Sequence, residues 1–287
     1  MVGQFGSGES LKTEIVLIAH LDSGRVTKGS SNPSPQVERY SSIILVFFLI
    51  NGLIFLSLVT ILSIFGYGTE LRKLAFVLAL PSLIYTGVLS IVLFAGRKFH
   101  AHGVGANDNA SGVAVVLETA RTLSQEMSEK CRIVFLLTGS EESGLRGILN
   151  FLASSHDDDS SRVFINVDSC GSGKLSLIAA EGWLRLYPSS LLLQRIARMC
   201  AEDKGISLEE SRKSGAYVSD LTPVLRSRCL GLTISALKEG GRIPLVHSED
   251  DRLENISIDP LVDAVILLRC MAVRISASNT LGDSLML

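Results

Sequence analysis

The stretch EIVLIAHLDSG, residues 14–24, joins an apolar run to a polar end. An unbroken apolar run such as IVLIA is typical of a strand that is buried on both faces of a parallel sheet. His20 and Asp22 follow it directly, two positions apart. Because ligands gather where the strands of such a sheet end, this stretch predicts that both side chains belong to a binding site.

Further apolar runs alternate with segments of helical spacing along the chain. The other predicted strands are 132–139, 162–169, 175–180 and 229–237, and the predicted helices are 112–127, 143–154, 189–204 and 259–274. Strands that alternate with helices form a mostly parallel sheet with helices on both faces. The sequence therefore predicts an α/β protein with three layers, α/β/α.

Two long segments interrupt this pattern. Residues 43–66 and 74–96 contain no charged side chain, and each is long enough to cross about 30 Å of hydrocarbon as a helix. Core helices of soluble proteins rarely stay apolar on every face over such a length. We therefore predict a transmembrane hairpin over residues 41–96, inserted into one domain made of residues 1–40 and 97–287.

The sequence gives weak indications of compartment. Basic residues flank the main domain's side of the predicted hairpin more often than its turn, which favours a cytoplasmic domain; they are Arg25, Lys28, Arg39, Arg97 and Lys98, against Arg72 and Lys73 in the turn. Five cysteines without a CxxC pair are expected to be buried thiols in a reducing compartment. The first twenty residues lack the pattern of a secretory signal. A net charge of −2 gives no footprint for nucleic acid.

Polar residues follow the predicted strands at one edge of the sheet. They are His20 and Asp22, Glu141 and Glu142, Asp168 and His247, together with Asp108 in GANDNASG, which opens the helix at 112. Each has an ordinary alternative, since an Asp before a helix is commonly an N-cap and paired glutamates suit a helix dipole. Buried carboxylates clustered without a counter-charge are costly, however. Histidine and carboxylate ligands without cysteine fit one or two Zn²⁺ ions with an open coordination position.

Five motifs in order resemble the co-catalytic zinc exopeptidases of the leucyl aminopeptidase and aminopeptidase Y type, to which glutamate carboxypeptidase and glutaminyl cyclase are related. The motifs are AHLDS, GANDNASGVAVVLETAR, VFLLTGSEESGLRGI, FINVDSCG and PLVHSEDD. The resemblance implies the mixed, mostly parallel sheet of that family. Family members have further strands before the first motif, whereas about a dozen residues precede it here. Missing strands or a truncated sequence would explain the difference.

The resemblance also implies roles for individual residues. His20 and Asp168 would bind one zinc, Glu142 and His247 the other, and Asp108 would bridge them. Glu141 would be the general base and acid. Asp22 would hydrogen-bond the His20 ring and fix its tautomer. The segment SDLTPV resembles a family SDHxPF segment, which makes Tyr217 and Asp220 candidates for the substrate pocket.

The function implied is that of a membrane-anchored metallo-exopeptidase with two zinc ions, acting as an aminopeptidase on peptides. Two alternatives remain open: a glutaminyl-cyclase-like acyltransferase with one zinc, and an inactive membrane scaffold. The oligomeric state is unknown. Because the hairpin is inserted between His20 and Asp108, we predict that the mouth of the active site faces the membrane surface.

Overall fold

The computed structural model describes residues 1–5, 13–26, 35–97, 102–123, 131–154, 162–211 and 217–277. The chain divides into two compact units, one of Met1–Gln36 with His102–Leu287 and the other of Val37–Ala101. The larger unit contains the strands and all helices except α1 and α2, which are defined below.

The strands and helices of the larger unit alternate from Thr13 onward. The strands are β1 Val2–Phe5, β2 Thr13–His20, β3 Cys131–Thr138, β4 Arg162–Val167, β5 Lys174–Ile178, β6 Ala180–Glu181, β7 Tyr187–Pro188, β8 Glu209–Ser211 and β9 Leu230–Leu237. The helices are α3 Gly112–Leu123, α4 Arg146–Ser154, α5 Leu191–Lys204, α6 Leu221–Arg226 and α7 Ile258–Ala277. A π-helical turn, Ala106–Ser111, leads into α3, and a 3₁₀ turn, Leu253–Asn255, precedes α7.

Within the described part of the chain, seven strands form one mixed sheet in the order β1-β3-β2-β4-β9-β5-β8. Strands β3, β2, β4 and β9 are parallel, whereas β1 pairs antiparallel with β3, and β5 pairs antiparallel with β9. The parallel strands carry their carboxyl ends to the same edge. The candidate ligands predicted from the sequence follow the parallel strands at this edge.

The two faces of the sheet are both covered, as the apolar run in β2 predicts. Ile15 and Leu17 belong to a core cluster that includes residues of α3, α5 and α7. Val16 and Ile18 belong to a second cluster, which includes residues of α4 and α6. A strand whose alternate side chains enter two cores must be apolar throughout, and this explains the unbroken run of residues 15–19.

The predicted fold class is confirmed: helices flank a mixed central sheet. The predicted strands and helices agree with those observed to within a few residues, although residues 124–127 at the end of the first predicted helix lie outside the described residues. Four short strands (β1, β6, β7 and β8) and α6 were not predicted, because each has six residues or fewer and carries little periodicity. The cysteines are thiols; three are buried, whereas Cys229 and Cys270 are half-buried.

The smaller unit consists of α1, Pro35–Ile64, and α2, Thr69–Arg97. Both contain windows long and apolar enough to cross a membrane, and at most 17% of either window is buried inside the structure. The two helices pack through small side chains of α2, Ala75, Ala79 and Ser82, and Ser82 Oγ donates a 2.7 Å hydrogen bond to Asn51 Oδ1. Small residues and an interhelical hydrogen bond are typical of helix packing in lipid.

Candidate metal centre

The first group of candidate ligands comprises His20, Asp108 and Asp168. His20 is the last residue of β2, and Asp168 follows β4. His20 Nε2 lies 3.1 Å from Asp108 Oδ1 and 3.7 Å from Asp168 Oδ1. All three residues are buried, and one ligand atom from each lies within 4.8 Å of the others. This spacing lets three donors converge on one cation.

The second group comprises Asp108, Glu142 and His247, and it is more open to solvent. His247 Nε2 lies 2.9 and 3.0 Å from the two carboxylate oxygens of Glu142, and 3.6 Å from Asp108 Oδ2. Asp108 thus presents Oδ1 to His20 and Oδ2 to His247. A carboxylate with one oxygen in each group is placed to bridge two ions.

Three residues at this edge adopt left-handed backbone conformations without being glycine. The φ angles are 60° at Ser140, 55° at Ser169 and 53° at His247. Ser140 precedes the Glu141–Glu142 pair, and Ser169 follows Asp168. Such conformations cost free energy and cluster at functional sites, where the surrounding structure enforces them. Here they aim ligand side chains towards one point.

Hydrogen bonds to the backbone hold the loop that carries Asp108. Asp251 accepts bonds from the amides of Asn107, at 2.5 Å, and Asp108, at 3.2 Å. The Asn107 side chain donates to the Pro244 carbonyl at 2.8 Å. The Asn109 side chain donates to the Val167 carbonyl at 2.9 Å, next to Asp168. These bonds tie the loop before α3 to the segments that carry His247 and Asp168.

Asp22 differs from the prediction in the atoms that it uses. Its backbone carbonyl, and not its carboxylate, faces His20 Nδ1 at 3.0 Å, while Oδ1 is 3.8 Å from that nitrogen. Donation from Nδ1 to this carbonyl leaves Nε2 as the nitrogen that would bind a metal ion on the side of Asp108. The Asp22 carboxylate instead accepts the amides of Glu141 and Glu142 at 3.1 and 3.2 Å. Because the carboxylate is engaged by these two amides, only the backbone carbonyl of Asp22 is within hydrogen-bond distance of the ring.

Tyr217 and Asp220 lie behind the candidate ligands. The Tyr217 hydroxyl donates a 3.1 Å bond to Asp168 Oδ2. Asp220 accepts a short hydrogen bond from the Thr138 hydroxyl, and its Oδ1 is buried without a partner among the described residues. Both side chains are buried, which favours a supporting role over direct contact with a substrate. Their assignment to the substrate pocket stays a prediction.

Glu141 stands beside the two ligand groups but belongs to neither. Burial, reinforced by the charge of Asp168, raises the pKa of Glu141 to about 9 in the metal-free protein. Its backbone amide is bound by Asp22, which fixes the start of its side chain. A carboxyl group that is next to a metal site without being a ligand is available for proton transfer.

The electrostatics of the donor set fit a divalent cation. Burial lowers the pKa of His20, but hydrogen bonds and charge from Asp108 and Asp168 outweigh it and raise the pKa to about 12. Burial likewise raises the pKa of Asp108, to about 6. Within the described residues, the ion-pair partners of Asp108, Asp168 and Glu142 are histidines alone. Such a set of carboxylates and imidazoles matches zinc, whose positive charge would balance the charge of the carboxylates.

Sequence reasoning did not find several residues of this site. Asn107 and Asn109 lie inside the quoted GANDNASG motif, but their bonds run to residues 58 or more positions away. Gly24 is also part of the opening stretch; a Cβ atom there would lie 2.3 Å from His247 Nε2. No local signal distinguishes these contacts, because each depends on a partner that is distant in sequence.

A family comparison agrees with this geometry. The model of the family described as Peptidase family M28 matches residues 91–268, which is more than half of the chain. The chain belongs to peptidase family M28. The matched region contains Asp108, Glu141, Glu142, Asp168 and His247, and His20 precedes it.

Other M28-like proteins resemble parts of the chain. The probable lipoprotein aminopeptidase LpqL of Mycobacterium tuberculosis is 28% identical over 165 residues, which are 54% of this chain and 32% of that protein. The crystal structure of BSAP, a zinc aminopeptidase from Bacillus subtilis, is 26% identical with a TM-score of 0.51, covering 59% of this chain and 42% of that one. This M28 chain therefore spans less than half the length of either protein.

The fold likeness extends further than the sequence likeness. The crystal structure of Bacteroides thetaiotaomicron glutaminyl cyclase has a TM-score of 0.59 and covers 97% of this chain and 77% of that one, at 16% identity. At this identity the likeness shows the fold alone. The M28 assignment and the cyclase likeness are thus compatible, since one fold carries more than one activity.

Proposed function

We propose that this protein is a membrane-anchored zinc aminopeptidase with two metal ions. The observation that carries the proposal is that two ligand groups share Asp108, with Glu141 adjacent to both and part of neither. His20 and Asp168 would hold one zinc, Glu142 and His247 the other. Zinc bound in these groups would lower the pKa of a water molecule and polarise the substrate carbonyl.

Glu141 would move the proton in this reaction. It would accept a proton from the attacking water and return it to the nitrogen of the leaving amine. Asp22 accepts a hydrogen bond from the Glu141 backbone amide and would thereby position this residue. The Tyr217 hydroxyl fixes one oxygen of Asp168, which leaves the other directed at His20. A free α-amine of the substrate would be held near the two metal ions, which would make the enzyme an aminopeptidase.

The variant Glu141→Gln tests the role of the base. It removes the titratable group while keeping the size of the side chain, so hydrolysis should fall by about 10²–10⁴-fold. Zinc content should stay at the wild-type value, because Glu141 is outside both ligand groups. Glu142→Gln is the matched control, since it should also reduce zinc content. Undiminished hydrolysis in Glu141→Gln would contradict the proposal.

A substrate panel separates this proposal from the two alternatives. Aminoacyl anilides should be hydrolysed by the detergent-solubilised protein, and their N-acetylated forms should not. Conversion of N-terminal glutamine peptides to pyroglutamate without any hydrolysis would select the cyclase alternative. Zinc binding without either activity would select the inactive scaffold.

The helices α1 and α2 would anchor the protein. Their length and their exposed apolar faces support a membrane hairpin, and the flanking basic residues favour a cytoplasmic main domain. A mouth that faces the membrane stays a prediction. An epitope tag at Gly68, between the two helices, should be protected from protease in inside-out vesicles, while a tag at the carboxyl terminus is removed. The opposite pattern would place the main domain outside.

A further inference from the structure

The segments that border the inserted helices pair with each other. Arg25 and His102 form an antiparallel bridge, and the Gly103 amide donates a 2.9 Å hydrogen bond to the Gly24 carbonyl. Ser23 Oγ donates a 3.0 Å bond to the Gly103 carbonyl. We call the paired segments Ser23–Val26 and His102–Gly105 the collar. It belongs to the larger unit and lies where the chain leaves that unit and returns to it.

The collar lies directly against the second ligand group. A Cβ atom at Gly24 would lie 2.3 Å from both Nε2 and Cδ2 of His247, and 2.7 Å from Oε1 of Glu142. Real Cβ atoms do not approach other atoms so closely. Two of these three atoms, His247 Nε2 and Glu142 Oε1, are donor atoms that would bind zinc. The backbone of Gly24 therefore forms a wall of this ligand group.

The returning segment reaches the shared ligand. A Cβ atom at Gly105 would lie 2.7 Å from Ser23 Cβ and 2.8 Å from the carbonyl oxygen of Asp108. Collar residues and the ligands Asp108 and His247 line one small cleft. Gly24 and Gly105 are both buried. The two sides of the collar thus hold the second group between them.

We propose that the collar positions the second metal ion, and that Gly24 is the residue on which binding of two ions, and not one, depends. This inference rests on the proposed function. The three atoms nearest to a Cβ atom at Gly24 all belong to His247 and Glu142, so a side chain at position 24 should displace these two ligands first.

Zinc stoichiometry tests the inference on the full chain in detergent. Wild-type apoprotein, titrated with zinc against a chromophoric chelator, should bind two equivalents. Gly24→Ala should bind one equivalent at wild-type affinity and the second roughly 10- to 100-fold more weakly, the range known for residues that orient metal ligands. The retained first equivalent reports that the variant is folded. His247→Ala should give the same pattern, since it removes a ligand of the same ion.

Gly3→Ala, on β1 and outside the collar, is the matched control. A Cβ atom there would have no neighbour within 4 Å, so both equivalents should bind as in the wild type. Two unchanged equivalents in Gly24→Ala would overturn the inference, as would equal weakening of both. If the wild-type protein bound no zinc, the proposed function itself would fail, and that outcome is distinct from either result in the variant.

Discussion

Asp22 and Glu141 are joined by a 3.1 Å hydrogen bond from the Glu141 backbone amide to Asp22 Oδ1. The second oxygen of Asp22 accepts the amide of Glu142 at 3.2 Å. One carboxylate after β2 therefore fixes the two residues after β3 that are proposed as base and ligand. It connects two strand ends that are 119 or more positions apart in the sequence.

Replacing Asp22 should impair catalysis through Glu141. In Asp22→Asn the side chain keeps one oxygen, which can accept one of the two backbone amides. Its NH₂ group then faces the other backbone amide, so that two N–H donors oppose each other. We expect kcat to fall by about 10- to 100-fold, with the first zinc equivalent retained. Glu239→Gln, at an exposed carboxylate, is the control for the loss of one charge. Wild-type kcat in Asp22→Asn would show that this bond does not position the base.

Removing metal should abolish activity and lower thermal stability together. Without a cation, Asp108, Asp168 and Glu142 repel one another in a largely buried site, and ligand binding no longer favours the folded state. Dialysis against 1,10-phenanthroline should therefore lower Tm by several degrees. Zn²⁺ should restore both properties, and Mg²⁺ should not, because imidazole ligands favour zinc. Full activity in zinc-free protein would contradict a zinc enzyme.

Ion pairs between three neighbouring strands predict that a substitution at Glu14 has a large effect on stability. Glu14 on β2 accepts short hydrogen bonds from Arg132 on β3 and Arg162 on β4, and both Glu14 and Arg162 are buried. Glu14→Ala breaks the ion pairs with both Arg132 and Arg162, which should cost about 3–5 kcal/mol of unfolding free energy. Glu209→Ala breaks the exposed pair with Lys174 and should cost less than about 1 kcal/mol. Equal losses of Tm in the two variants would refute the assignment of a buried ion cluster.

Glu181 predicts a dependence of stability on pH. Burial raises the pKa of this carboxyl to about 7, although the hydroxyls of Ser219, Thr222 and Thr233 donate to it. Because the folded pKa exceeds the unfolded value of 4.5, the protonated Glu181 carboxyl contributes its full stabilisation of the folded state below about pH 4.5. This contribution is lost as pH rises through about 7. The loss corresponds to roughly 3 kcal/mol.

The variant Glu181→Gln should remove this dependence. Relative to the wild type, its Tm should rise between pH 5 and pH 8, because the variant has no carboxyl to ionise. The comparison is made by thermal unfolding across that range, with Glu209→Gln as an exposed control. A constant difference between Glu181→Gln and the wild type at every pH would show that Glu181 binds protons equally in the folded and unfolded states, so that burial does not raise its pKa.

Much of the fold was predictable from local sequence. The apolar runs at 14–20 and 132–139 appear as β2 and β3 within one residue, since a doubly buried strand must be apolar throughout. The helix at 189–204 appears as α5, with Ser190 as its N-cap and Gly205 ending it in the left-handed conformation. The shortest elements were missed. The strand β1 pairs with β3 only through contacts with residues 133–136, and its four residues carry no pattern of their own.

The sequence by itself indicated the candidate ligands of the metal centre. Histidines and carboxylates follow the strands of a parallel sheet, and such strands bring their ends to one edge. Only the tertiary structure decided how these residues work together. Three contacts join residues that are 49 to 223 positions apart in the sequence. They are the hydrogen bond from the Glu141 amide to Asp22, the hydrogen bond from the Tyr217 hydroxyl to Asp168, and the approach of Gly24 to His247. A sequence pattern records the spacing of neighbours along the chain, whereas these contacts depend on the register and packing of distant segments.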